Sequence, residues 1–263
     1  MEASQVLGDL TKLITALMCV GVRMQVAFAI IPLFNKQMVP SLIRSGIAVG
    51  LSLVLLPPML VAMGQHPDSF SLIAIIVKEA LIGLLLGYAV AALFWAVEAV
   101  GFFIDNQRGA SIASTLDPLT GNDSSPLGIL FNQAFVVYFM VAGGFIVLMT
   151  LLYASYRVWP VMTYFPTLPQ DGLAIFAGVF GGIVRMAVLL SAPVIVAMML
   201  AELGLALLSR FVPQLQVFFL AMPIKCGIAF FVLLVYLPVL FGYLQEQIRG
   251  LPGLLQSLAG AFG

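Results

Sequence analysis

Residues 70–104 contain only three charged side chains, Lys78, Glu79 and Glu98. That stretch is far longer than the ~20 apolar residues a helix needs to cross a bilayer core. About six runs long enough to span follow one another along the chain, at 6–34, 41–63, 70–104, 126–156, 173–208 and 215–244. Backbone groups in lipid must be bonded internally, so such runs predict helices or helix pairs. A transmembrane β-barrel would need short alternating segments, whereas residues 81–97 read LIGLLLGYAVAALFWAV. The expected fold is all-α: a polytopic membrane protein of long helices or helix pairs, some broken at proline, with residues 1–263 as a single domain. A helix of the longer runs would measure ~45 Å. That exceeds the hydrocarbon thickness, so these helices must tilt, break or leave an ordinary bilayer. Pro32, Pro193, Pro223 and Pro238 lie inside apolar runs and are the expected break points.

Composition narrows the function classes. Hydrophobic residues make up 62% of the chain and charged residues 8%, against ~45–50% and ~25% in soluble domains. Lipid or partner subunits must cover most of the outside. Lys+Arg and Asp+Glu balance at 11 each, which gives no basic footprint for nucleic acid. Lys36, Arg44, Arg108 and Arg210 fall on one side of a six-span arrangement, and Lys12, Arg157 and Arg249 on the other. The bias places the first side in the cytoplasm and the N-terminus outside. No basic region precedes the first apolar run, so that run reads as retained rather than cleaved. Cys19 and Cys226 lie inside apolar runs without CxxC spacing and read as small buried hydrophobes. The only histidine, His66, stands beside Pro67 in a turn. The chain carries no phosphate-binding loop, HExxH or GxSxG motif. No catalytic residue, cofactor or metal is expected.

Charges within the apolar runs are the stronger signal. Arg23, Lys78, Glu79, Glu98, Arg185, Glu202 and Lys225 all lie there, and each costs a few kcal/mol or more at a bilayer centre unless it faces protein or water. They read either as an ion path or as buried pairs at hairpin and subunit interfaces. Their scatter over many segments favours pairing. Gly83 and Gly87, like Gly178 and Gly182, have the spacing that lets helices approach closely.

One connection is long and polar: 105–125, DNQRGASIASTLDPLTGNDSS. Glu98 and Asp105 are seven apart and share a helix face. Asp105 and Arg108 can pair at i,i+3 if the helix reaches them. Gly109, Ser111 and Ser114 follow, then Asp117-Pro118, Gly121-Asn122 and Ser124-Ser125-Pro126, a succession of turn and helix-start signals. Such backbone must line a water-filled cavity, be buried in protein, or lie outside the lipid. A plug or constriction across a pore fits these properties, and so does a plain solvent loop. The plug residues are expected to be Gly109, Ser111, Ser114, Asp117, Pro118, Gly121 and Ser124.

The segment 99–133, AVGFFIDNQRGASIASTLDPLTGNDSSPLGILFNQ, resembles the signature of a type III secretion export apparatus family, called SctT in injectisomes and FliR in flagella. The segment 211–230, FVPQLQVFFLAMPIKCGIAF, is similar to that family's Pro-Gln-Leu-Asn-Val-Phe…Met-Pro-Ile-Lys stretch, with Gln216 where the family has Asn. A third, weaker likeness runs from Arg23 to Ile31-Pro32-Leu33-Phe34. Length and hydropathy agree throughout, and residues 105–108 and 124–128 look injectisome-like. The resemblance implies a non-enzymatic, single-copy subunit, built from long helical hairpins, of a helical export gate in the bacterial inner membrane. Its partners would be SctR/FliP-type, SctS/FliQ-type and SctU/FlhB-type subunits, membrane lipid, and unfolded secreted proteins in transit. It also implies that the assembly sits partly on the periplasmic side and that the 105–125 loop contributes to the plug. The competing readings are a proton-coupled small-solute transporter, suggested by the intramembrane charges and broken helices, and a purely structural membrane scaffold.

Overall fold

The computed structural model of the chain describes residues 2–34, 39–63, 68–109, 125–163, 172–211 and 217–262, and every regular element among them is helical. Helix α1 spans Glu2–Ile30 and gives way to a 3-10 turn at Pro32–Phe34. There Pro32 forces its predecessor out of the helical region. Helix α2, Ser41–Ser52, tightens into a 3-10 turn at Leu53–Leu55 before α3, Leu56–Ala62. Pro57 and Pro58 lack the N–H groups that Leu53 and Val54 would need as α-helical partners, so the run divides there. Helix α4, Ser69–Arg108, has no internal proline and runs 40 residues, about 60 Å at 1.5 Å per residue.

Helix α5, Pro126–Val141, starts on a Ser125 N-cap whose Oγ accepts from the Gly128 N–H at 2.9 Å. It ends at Gly143, in the left-handed region with φ 79°, where a side chain is disfavoured. Helix α6, Gly144–Val158, leaves at a 73° bend. The expected single run over 126–156 is therefore two helices. Helix α7 covers Gly172–Phe211 and α8 covers Val217–Phe262. Both continue as helices through Pro193, Pro223 and Pro238, so the breaks expected at these three prolines are absent. One missing hydrogen bond in a helix this long leaves the turns on either side intact. Among the described residues, five helices are long and apolar enough to cross a membrane, or six when the bent α5–α6 pair counts as one span. The protein is a polytopic, all-helical membrane protein.

The chain divides into two compact units, each assembled from separated stretches. The first comprises Met1–Ala91, Phe145–Phe176 and Gly250–Gly263, and the second Ala92–Gly144 and Ala177–Arg249. In the first unit α1 lies directly on α4. A Cβ on Gly83 would overlap the Arg23 backbone, and one on Gly87 would stand 2.9 Å from the Ala27 Cα. The GLLLG pair thus sets a close helix crossing, around which Met24, Phe28, Ile82 and Leu86 are buried. In the second unit Phe94 packs against Phe135 and Phe139, with ring centroids 4.8 and 5.2 Å apart. Gly101 meets the Gly128 backbone so closely that no side chain fits between α4 and α5. Around Gly178 and Gly182 nothing lies within 4 Å of an added Cβ, so this second glycine pair packs against no described part of the chain.

Candidate functional site: two buried charge clusters

The first cluster lies in the first unit. Arg23 on α1 is fully buried and grips Glu79 on α4 through two hydrogen bonds, Nε to Oε2 at 2.7 Å and Nη2 to Oε1 at 2.9 Å. This fork geometry is the strongest form of the pair. Two further N–H groups reach Ser155 Oγ at 2.8 Å and the Trp159 carbonyl at 2.9 Å, and its plane stacks 4.0 Å from the centre of the Tyr156 ring. Lys78 stands 3.1 Å from Glu79 Oε1. Its ammonium also donates to the carbonyls of Pro160, Val161 and Thr163 at 2.9, 2.7 and 2.9 Å. Two cations thus share one carboxylate, and backbone oxygens past the end of α6 take up the excess positive charge. The cluster ties α1, α4 and the turn after α6 together.

The second cluster lies in the second unit, where α4 meets α5. Helix α4 does reach Arg108, so Asp105 and Arg108 stand on its last turn. Asp105 Oδ1 accepts from Arg108 Nε at 2.7 Å, and Arg108 Nη2 stands at the same distance from it as an ion pair. Its Oδ2 accepts from the Ser125 hydroxyl at 2.6 Å and the Leu127 N–H at 2.9 Å. One buried carboxylate therefore caps the start of α5 while holding a cation at the end of α4, and each charge suits the helix dipole it faces. Arg108 continues toward α8, with Nη1 4.0 Å from Cys226 Sγ and the guanidinium 5.7 Å from the Phe230 ring centre. One helical heptad earlier, half-buried Glu98 accepts from Asn132 Nδ2 at 2.7 Å. Glu98 and Asp105 both face α5, seven residues apart on α4 and about as far apart on α5.

The other expected buried charges behave differently. Lys225 on α8 is buried and bonds Glu202 on α7 at 3.2 Å, but the Glu202 side chain is 51% exposed. Arg185 on α7 is exposed. Neither Glu202 nor Arg185 is buried in this chain, because both stand on outward faces of α7 among Val184, Val188, Leu200 and Leu203. Of the expected plug residues, Gly109 closes α4 at φ 85° with its N–H donated to the Asn106 carbonyl. Ser111, Ser114, Asp117, Pro118, Gly121 and Ser124 lie outside the described residues. Sequence reasoning missed Ser155, Tyr156, Asn132 and the Trp159 carbonyl as partners of the charges. Ser125 carried a readable signal, since Ser before Pro is a helix start, but nothing near it in sequence announced Asp105 as its acceptor.

Comparison with known proteins points one way. Residues 14–251 match the family described as bacterial export proteins, family 1. The chain is 41% identical over 215 residues to Yop proteins translocation protein T of Yersinia pestis, covering 81% of this chain and 82% of that protein. It is 32% identical over 217 residues to the surface presentation of antigens protein SpaR of Salmonella typhimurium, covering 81% and 80%. It is also 32% identical over 241 residues to the flagellar biosynthetic protein FliR of Bacillus subtilis, covering 89% and 91%. With nearly the whole chain matched and the apolar helices, close crossings and paired charges in place, the protein belongs to the bacterial export proteins, family 1.

Proposed function

We propose that the chain is a non-enzymatic subunit of a type III protein secretion export gate in the bacterial inner membrane, of the injectisome type. The observation that carries this reading is the 41% identity to a Yop translocation protein over four-fifths of both chains. Its partners are subunits of the SctR/FliP, SctS/FliQ and SctU/FlhB types, with lipid covering what they leave exposed. The apolar side chains standing out on α7 and α8, among them Phe180, Leu203, Phe231 and Leu234, need that cover. Overlong helices suit an assembly that stands partly on the periplasmic side rather than wholly within the bilayer. The 105–125 loop contributes to a plug that unfolded substrates displace.

The transporter reading is less well supported. A proton path needs titratable groups that can exchange partners, whereas the carboxylate of Glu79 is held by Arg23 and Lys78 and that of Asp105 by Arg108, Ser125 and Leu127. The test is deletion of residues 110–120. The complex should assemble but leak ions and small solutes. A complex that assembles and stays as tight as the parent would remove this segment from the gate.

A further inference from the structure

In the first unit an apolar cleft opens beside the end of α6, with a single cation at its edge. We infer that this cleft binds an anionic phospholipid, one acyl chain in the cleft and the phosphate on Arg157. The inference rests on the membrane fold of the first unit and stands apart from the export-gate reading.

The cleft has a volume of about 540 Å³, inside the ~300–1,000 Å³ range of small-molecule sites. Val54 and Ala62 line it from the 3-10 turn at Leu53–Leu55 and from α3, and Tyr153, Tyr156 and Arg157 line it from α6. The Tyr153 hydroxyl donates to the Leu51 carbonyl at 3.0 Å and the Tyr156 hydroxyl to the Val20 carbonyl at 2.7 Å. The carbonyls of Pro160 and Val161, two more lining residues, accept from Lys78. With these polar groups engaged, an occupant meets an apolar wall. Arg157 differs. It is exposed, and its guanidinium forms no ion pair among the described residues.

Charge and size select the occupant. Arg23 lies behind Tyr156, 4.0 Å from the ring centre, and shares Glu79 with Lys78. With Arg157 these groups carry a net positive charge, which favours a negative headgroup over a zwitterionic one. A guanidinium matches phosphate through its fork of N–H donors. Tyr153, Tyr156 and Trp159 at the end of α6 are of the types that gather at headgroup level, beside which a lipid phosphate stands. A helix is ~10–12 Å across and would fill the cleft with roughly one turn, so the space suits a flexible acyl chain better than a neighbouring subunit's helix.

The experiment is photo-crosslinking. A benzophenone amino acid replaces Val54 in the full chain. The chain, with its co-extracted subunits, is placed in vesicles of equal amounts of phosphatidylglycerol and phosphatidylcholine. The same label at Val61, which is 86% exposed and does not line the cleft, reports contact with bulk lipid. Mass spectrometry identifies the adducts. At Val54 the phosphatidylglycerol adduct should exceed the phosphatidylcholine adduct about fivefold, the preference that one interfacial Arg supplies, and Val61 should show none. Arg157→Gln should abolish the preference and Arg157→Lys should keep most of it. Ala62→Trp, which fills the cleft from an exposed position, should bring Val54 to the Val61 ratio. If Arg157→Gln fails to assemble, the comparison of Val54 with Val61 in the parent decides alone. Equal ratios there would mean bulk contact only and would overturn the inference. A preference that survives Arg157→Gln, or one lost on adding inorganic phosphate, would overturn it too, the latter by showing a site for free phosphate. A Val54 adduct to protein in place of lipid would assign the cleft to a polypeptide and overturn it as well.

Discussion

At the residue scale, the cluster around Glu79 illustrates what a buried charge needs in this protein. Removing Glu79 leaves Arg23 and Lys78 buried side by side with no counter-charge. Breaking such a cluster costs about 3–5 kcal/mol. Glu79→Ala should therefore sharply reduce the amount of protein in membranes and the melting temperature of the purified complex. Lys78→Met should do less harm. It removes one of two cations, and exposed Pro160 and Thr163 give water access to two of the carbonyls it leaves. A Lys78→Met variant as depleted as Glu79→Ala would show that the backbone contacts, not the charge balance, hold the cluster. The sequence made these residues stand out because charge is out of place in an apolar run. It could not show their partners, which come from segments 56 to 136 residues away. It also could not tell inward from outward on α7. Apolar residues lie on all sides of that helix, so no polar face marks the outside at Arg185 and Glu202.

At the scale of elements, the two glycine pairs predict opposite outcomes. Gly83→Val would drive a branched side chain into the Arg23 backbone and push α1 off α4. Overpacking of this kind costs typically ~1–3 kcal/mol, and it would strain the Arg23–Glu79 pair as well. Limited proteolysis and thermal melting of the complex should show the loss. Gly182→Val meets nothing within 4 Å in the chain itself. Its effect should be confined to assembly with partner subunits, with protease resistance of the isolated fold unchanged. Both pairs look alike in sequence, since spacing reports that a close approach is possible and not whether a neighbour uses it. Prolines were legible in the same partial way. Pro32, an expected break point, does end a helix, whereas the Pro57-Pro58 pair, not among the expected break points, divides one. Pro193, Pro223 and Pro238 do not, because long apolar helices absorb a single missing bond. The bend between α5 and α6 depends on Gly143 at positive φ. Its apolar surroundings concealed it within a continuous run. Gly143→Ala should cost about 1 kcal/mol and lower the melting temperature slightly.

At the scale of the whole molecule, apolar surface without a partner dominates. Leu200, Leu207, Phe211, Phe231, Leu234 and Val235 are all more than half exposed in the chain alone, on helices whose apolar stretches run to 34 and 35 residues. A patch of this extent marks an interface with protein or lipid. Expressed without the other gate subunits, the chain should be degraded or form mixed aggregates, and co-expression should rescue its level in a membrane-fraction blot. The measurement that bears most directly on membership of a multi-subunit export gate is a mass spectrum of the intact complex extracted in mild detergent. The expected spectrum shows one assembly in which this 28.2 kDa chain is accompanied by several different small membrane subunits. A stable monomer, or an assembly built only of copies of this chain, would contradict it.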